Sequence, residues 1–192
     1  MNLHVVRYGD PILRAKGKRI EEIDDHIREL AANMIETMHA ANGVGLAAQQ
    51  IGEALQLTVL DVSGAEEQES TLTLNGAKLD PKTSMPLVLL NPDLVLGDET
   101  AVGLEGCLSF PEITGDIRRS MTVDVRAQSL DGEPLKIEAS GLLARALQHE
   151  VDHLNGILFI DRMSAATKVA LRSGLKRLQR ARTDFRAPCR SP

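Results

Sequence analysis

The stretch Gln148-His149-Glu150-Val151-Asp152-His153-Leu154-Asn155-Gly156 carries the residue types of a metal-dependent hydrolase. On a helix, residues four apart stand one above the other. His149 and His153 can therefore aim imidazole nitrogens at a single ion. Glu150, rotated by about 100°, can reach a water on that ion without being a ligand. H-E-x-x-H thus offers two ligands and one proton carrier. The plainer alternative is a pair of core histidines on an ordinary helix. Against it, the same helix face carries Leu142 and Ala146, so both imidazoles face an apolar interior, where buried polar groups need partners.

Two histidines leave a metal short of a protein ligand. A metzincin protease would place a third histidine at position 159, but that residue is Phe159. No histidine or glutamate follows His153, and the later carboxylates, Asp161 and Asp184, have no protease spacing. The third ligand must come from upstream. There stands Glu105-Gly106-Cys107-Leu108-Ser109, with the only cysteine in the body of the chain. A lone cysteine is ordinarily a small buried hydrophobe. Gly103 and Gly106, however, give the close-approaching backbone that suits a loop meeting a metal centre. A third compact stretch, Gly43-Val44-Gly45-Leu46-Ala47-Ala48-Gln49-Gln50, follows the first predicted helix.

In that order and at roughly these separations, GVGLAAQQ, EGCLS and QHEVDH resemble the peptide deformylases, and the resemblance extends from the amino terminus to about Arg182. It implies removal of the N-formyl group from the formyl-methionine of nascent polypeptides, with release of formate. Cys107, His149 and His153 match the family's metal ligands, with water as the fourth. Glu150 matches the catalytic acid/base. Gln50, through its side-chain amide, and Leu108, through its backbone N–H, match the groups that contact the substrate oxyanion. Gly45 matches a backbone contact to the formyl-methionyl group. Val44, Glu105, Gly106, Leu142, Ala146 and His149 match the methionine pocket, in which Val44, Leu142 and Ala146 suit an unbranched thioether. Glu105 could attract substrate, hold loop backbone, or pair with Arg118 or Arg119. The resemblance implies Fe(II) in the cell, with zinc, nickel or cobalt in purified protein. On ligand chemistry alone, two imidazoles and a thiolate suit zinc as well, and without the resemblance zinc would be the expected metal.

Two rival functions use the same residues. Another metal-dependent amidase or protease would need a cleft open on both sides of the metal. A non-catalytic metal-binding module would need a fourth protein ligand, for which His4, His26 and His39 are the remaining histidines.

The elements that must position these residues can be read from periodicity. Ile23, Ile27, Leu30, Met34 and Met38 predict a helix over 21–41, ended by Asn42-Gly43. Strands are expected over 57–62, over 87–96 despite Asn91-Pro92, and over 121–130 and 133–139 around the Asp131-Gly132 hairpin signal. Residues 64–86 read as a loop or irregular insertion. Ser140 stands where an N-cap would, opening a helix to Leu154. A last helix is expected over 161–182, with Val169, Leu175 and Leu178 available for docking. The fold class is α+β: one domain in which antiparallel and mixed strands wrap the helix bearing the histidines. Residues 1–163 form its catalytic body and 164–192 a basic helix and tail of the same domain.

Aromatics are only 2% of the 192 residues, so the core must be aliphatic. Cys107 and Cys189 make no disulfide framework, and neither a signal peptide nor a membrane-spanning run is evident. A reducing cytoplasm is the expected location, with no membrane and no DNA partner. Charge is uneven: residues 164–192 carry eight Lys/Arg against Asp184, a net +7, while the whole chain is −5, leaving −12 on the body. Such a tail suits an anionic partner, ribosomal RNA if the enzyme meets nascent chains; a solvated helix face is the simpler reading.

Overall fold

The computed structural model describes residues 1–65 and 69–185, with side chains described as far as Arg180. Cys189 and the end of the basic tail lie outside the described residues, as does the Arg182 side chain.

Helix α1 (Asp25–Ala40) starts later than its apolar periodicity suggested. Asp24 takes extended backbone and its side chain accepts from the Ile27 N–H at 2.9 Å, so the cap decides the start. Asn42, at φ 53°, provides the left-handed stop.

Seven strands form one sheet in the order β1 (Gly45–Ala47), β2 (Leu57–Leu60), β5 (Leu87–Leu96), β8 (Thr122–Gln128), β9 (Pro134–Ser140), β3 (Ser70–Leu74), β4 (Ala77–Leu79). A separate ribbon pairs β6 (Thr100–Gly106) with β7 (Thr114–Ser120). Every strand pair is antiparallel, so the mixed component expected from sequence is confined to one isolated parallel bridge, Lys18 to Leu55.

The expected irregular insertion is in large part a β-hairpin. Asn75 and Gly76, at φ 50° and 84°, make the tight turn that joins β3 to β4, and β3 adds to β9. In β5, Asn91 takes φ 53° and the register shifts between Leu90 and Asp93. The strand survives because the Asn91 side chain serves the Ile20 backbone N–H and C=O, each at 2.8 Å.

Helix α2 (Gly141–Leu154) packs on the sheet through Leu143, Ala144 and Leu147, which join Leu60, Leu72, Leu89, Val125 and Ile137 in one cluster. Its N-terminus is not capped by the Ser140 hydroxyl, which bonds Thr71 at 2.7 Å. The Leu143 N–H is served from β3 by the Ser70 hydroxyl at 3.1 Å. The sheet itself therefore caps the helix that carries the histidines.

The expected last helix is two. Phe159–Arg162 forms α3 and Ala165–Phe185 forms α4, because extended backbone at Met163 separates them. Each start has its own side-chain acceptor, Asp161 for the Leu158 N–H and Ser164 for the Thr167 N–H. Leu171, Leu175 and Leu178 dock α4 on a cluster with Phe110, Ile113 and Phe159. Val169, expected to dock, is 73% exposed; the stripe runs from Leu171 at helical spacing instead. Lys168, Arg172, Lys176, Arg177 and Arg180 lie on the exposed side. No described helix is long and apolar enough to cross a membrane.

Candidate functional site

Three elements converge at one end of α2. The helix presents His149, Glu150 and His153 inward, all buried. The β6–β7 ribbon delivers Glu105 and Gly106 at the end of β6, and Cys107 follows. The short strand β1 and the 3-10 turn after it (Ala48–Ile51) bring Gly45 and Gln50.

Ligand atoms of Cys107, His149 and His153 all lie within 4.8 Å of one another, the one such group among the described residues. Cys107 Sγ stands 3.2 Å from His153 Nε2. His149 is oriented from behind: its Nδ1 lies 3.1 Å from Glu105 Oε2, which leaves Nε2 for the cluster. Backing a ligating imidazole with a carboxylate in this way fixes its ring and tautomer. His153 Nδ1 is buried with no hydrogen-bond partner. Burial disfavours charge on both imidazoles. For His149, hydrogen bonds to Cys107 and Glu105 overcome this and raise the pKa well above the usual range. For His153, burial and then the charge of His149 hold it well below, in the neutral form a metal needs. A cysteine sulfur and two buried imidazoles, held close together, fit a divalent transition metal.

Glu150 lies beside this group. One of its oxygens, Oε2, is buried and unpartnered. Burial above all, with the nearby charges of Glu105 and Asp152, raises its pKa to about 7 against the pull of His149 and Arg119. A carboxyl near neutrality can both take and return a proton. A Cβ on Gly45 would collide with the Glu150 carboxylate, so any side chain there would displace Glu150. Gln50 has its carbonyl oxygen fixed by the Ala47 N–H at 2.9 Å, and its amide nitrogen is 3.4 Å from both Cys107 Sγ and Ser109 Oγ.

A cavity of about 570 Å³ opens over these groups. Val44, Gly45, Gln50, Glu105, Gly106, Cys107, Leu108, Leu142, Ala146, His149 and Glu150 all border it, while His153 sits behind, 1% exposed. Of the sequence-selected residues, then, only His153 is away from the cavity surface.

Glu105 has a definite partner set. Oε1 accepts from Arg119 Nε at 2.9 Å and Arg145 Nη1 at 2.8 Å; Oε2 accepts from Arg119 Nη2 at 3.0 Å as well as facing His149. Burial would raise its pKa, but hydrogen bonds from His149 and Arg119 and their charges lower it to about 2. Arg118 instead bonds Thr100. Arg119 also reaches Asp152, which in turn holds Arg162 at 2.6 Å. Arg145 and Asp152 escaped the sequence reading. Arg145 precedes His149 by four on the same helix, a spacing that could have flagged it; Asp152 carried no signal short of its buried partners.

The family model for polypeptide deformylase matches residues 2–169. The chain belongs to this family. A peptide deformylase of Opitutus terrae is 48% identical over 180 residues, 93% of each chain. Another, from Methylacidiphilum infernorum, is 46% identical over 94% of each. Among solved structures, a plant peptide deformylase superposes with TM-score 0.84 at 36% identity, covering 96% of this chain and 92% of that one. The Thermotoga maritima peptide deformylase gives 0.73 at 38%, covering 85% and 99%. Like these, the present deformylase combines antiparallel sheets with a C-terminal helix, and it carries a Cys/His/His group of which Cys107 and His149 border the cavity.

Proposed function

We propose the following division of labour for the deformylase reaction, hydrolysis of the N-formyl group from the formyl-methionine of a nascent polypeptide to give formate and a free amine. The observation that carries it is the buried, unpartnered Glu150 carboxylate beside the converged Cys107, His149 and His153. Those three residues hold the metal, and Glu105 orients His149 from behind. When bound, a divalent ion lowers the pKa of a water to about 7 and polarises a carbonyl as a Lewis acid.

Glu150 takes the proton from the attacking water and returns one to the departing nitrogen. Its pKa near 7 suits both halves of that exchange. The Gln50 amide and the Leu108 backbone N–H donate to the oxyanion, each such donor being worth roughly 10²–10³ in rate. Val44, Leu142 and Ala146 form the apolar side of the methionine pocket, which Gly106 also borders. Gly45 leaves room for Glu150 and offers its backbone to the formyl-methionyl group. The role of Glu105 in that pocket is structural, since both its oxygens are already engaged by Arg119, Arg145 and His149.

Fe(II) is the working metal by family resemblance, and zinc, nickel or cobalt are chemically acceptable to the same donors. The enzyme works in the cytoplasm, where formylated chains emerge, and the basic face of α4 supplies a contact to ribosomal RNA.

Formate release from a formyl-Met peptide tests the reading, using protein loaded anaerobically with iron or with zinc. Glu150→Gln should keep its metal and lose turnover. A metal-replete Glu150→Gln protein with near-normal activity would overturn the assigned role.

A further inference from the structure

The C-terminal helix touches the active-site wall directly. From Cys107 the chain turns through Phe110, whose N–H bonds the Cys107 carbonyl at 2.8 Å, and through Ile113, whose N–H bonds the Phe110 carbonyl at 3.1 Å. The segment from Pro111 to Thr114 then borders the cavity. Within it Glu112 takes φ 62°, a left-handed conformation that a non-glycine residue holds only when its surroundings impose it. Those surroundings include α4. Ile113 is 5% exposed, borders the cavity, and belongs to the cluster that Leu171, Leu175 and Leu178 cover. At Gly174 the two segments approach closely: a Cβ there would stand 2.8 Å from Ile113 Cδ1. Arg177 adds an exposed pairing to Glu112 at 3.4 Å.

We infer that α4 sets the position of the cavity wall at Pro111–Thr114 through the close approach of Gly174 to Ile113 and the packing of Leu175 on the same cluster, so that Ile113 is a positioning residue for the part of the peptide beyond methionine. This rests on the cavity being the peptide site. His149, Glu150 and His153 lie on α2, whereas Cys107 leads into this wall and packs against the same apolar cluster. Peptide length separates the two effects: a displaced wall is felt only by a substrate long enough to reach it, whereas a disturbed Cys107 would affect both lengths alike.

The test compares Gly174→Val with wild-type enzyme on formyl-Met-Ala and on a formylated pentapeptide. The valine must push Ile113 aside. KM for the pentapeptide should rise about four-fold for each methylene-sized contact withdrawn, with kcat and the dipeptide KM unchanged. Ser173→Val, on the exposed side of the helix, is the control. Gly174→Val combined with Ile113→Ala should recover part of the pentapeptide KM, because the space vacated at Ile113 accepts the valine. If Gly174→Val does not fold, Leu175→Ala removes a contact to the same cluster without adding bulk and should show the same length-dependent rise. Wild-type activity on both peptides with identical KM changes at both lengths, or none, would overturn the positioning role while leaving the deformylase reading intact. No wild-type activity on either peptide would instead overturn that reading.

Discussion

Glu105 Oε2 lies 3.1 Å from His149 Nδ1, and the same carboxylate accepts three hydrogen bonds from Arg119 and Arg145. All four acceptor positions are in use. The histidine is thereby held by a carboxylate that cannot itself turn away. Glu105→Gln should weaken metal retention by about 10–100-fold, the usual cost of losing such a backing group. Competition with a chelator would measure this independently of turnover. Unchanged retention would remove Glu105 from the support of the site.

Arg119 is the cation that links Glu105 to Asp152, and its side chain is 4% exposed. Burial would lower its pKa, but Glu105 and then Asp152 raise it, so it stays charged. Arg119→Met leaves two buried carboxylates short of a partner. Loss of one member of a buried ionic group costs about 3–5 kcal/mol. Urea denaturation should show a drop of that order; a change below about 1 kcal/mol would mean that Arg145 and Arg162 suffice.

Gly45→Ala places a methyl group against the Glu150 carboxylate. The carboxylate must move, and a displacement on the order of 1 Å typically costs about 10² in rate. The expected result is a large fall in kcat with metal content and melting temperature close to wild type. Retained kcat would show that Glu150 has slack.

Asp161 predicts a pH-dependent contribution to stability. Burial alone would raise its pKa, but Arg14, the Leu158 N–H and the Arg14 charge together lower it. A carboxyl with a lowered folded-state pKa stabilises above its unfolded value, ~3.9, and loses that contribution as pH falls through the folded value. Asp161→Asn should therefore be less stable than wild type at neutral pH, with the gap closing in acid. Because Arg14 and Asp161 are both more than a third exposed, the effect is small and weakens with salt. A gap that persists unchanged to low pH would assign the effect to shape.

Charge reversal at Arg172, Lys176 and Arg180 tests the basic helix. Co-sedimentation with ribosomes should fall relative to wild type, with the difference greatest at low salt and shrinking as salt rises, while hydrolysis of a short formyl peptide stays unchanged. Equal co-sedimentation at low salt would exclude this face as the anchor. Leaving Leu171, Leu175 and Leu178 intact keeps the helix docked on the cavity wall.

Local signals in the chain were legible wherever a local rule governs the outcome. The spacing of His149 and His153 determines that they share a helix face, and Asp131-Gly132 determines a hairpin between β8 and β9. The same rule applied to Asn75-Gly76 would have found β3 and β4, which a polar composition concealed. Helix starts were less legible. Asp24, and not the first apolar residue, opens α1, because an unsatisfied N–H group outweighs a single weak propensity.

By itself the sequence determined two imidazoles and a carboxylate on one helix, the upstream cysteine that could join them, and the family they resemble. Helical periodicity is a property of neighbouring residues, so it survives without knowledge of the fold. The tertiary structure decided that Cys107 meets His153, 46 positions away, at 3.2 Å. It also decided that Glu105 is filled by two arginines and a histidine from β7 and α2, and that Gly174 rests on Ile113. Such contacts depend on strand register and on how one element's side chains fill the gaps of another, quantities that no short window of sequence contains.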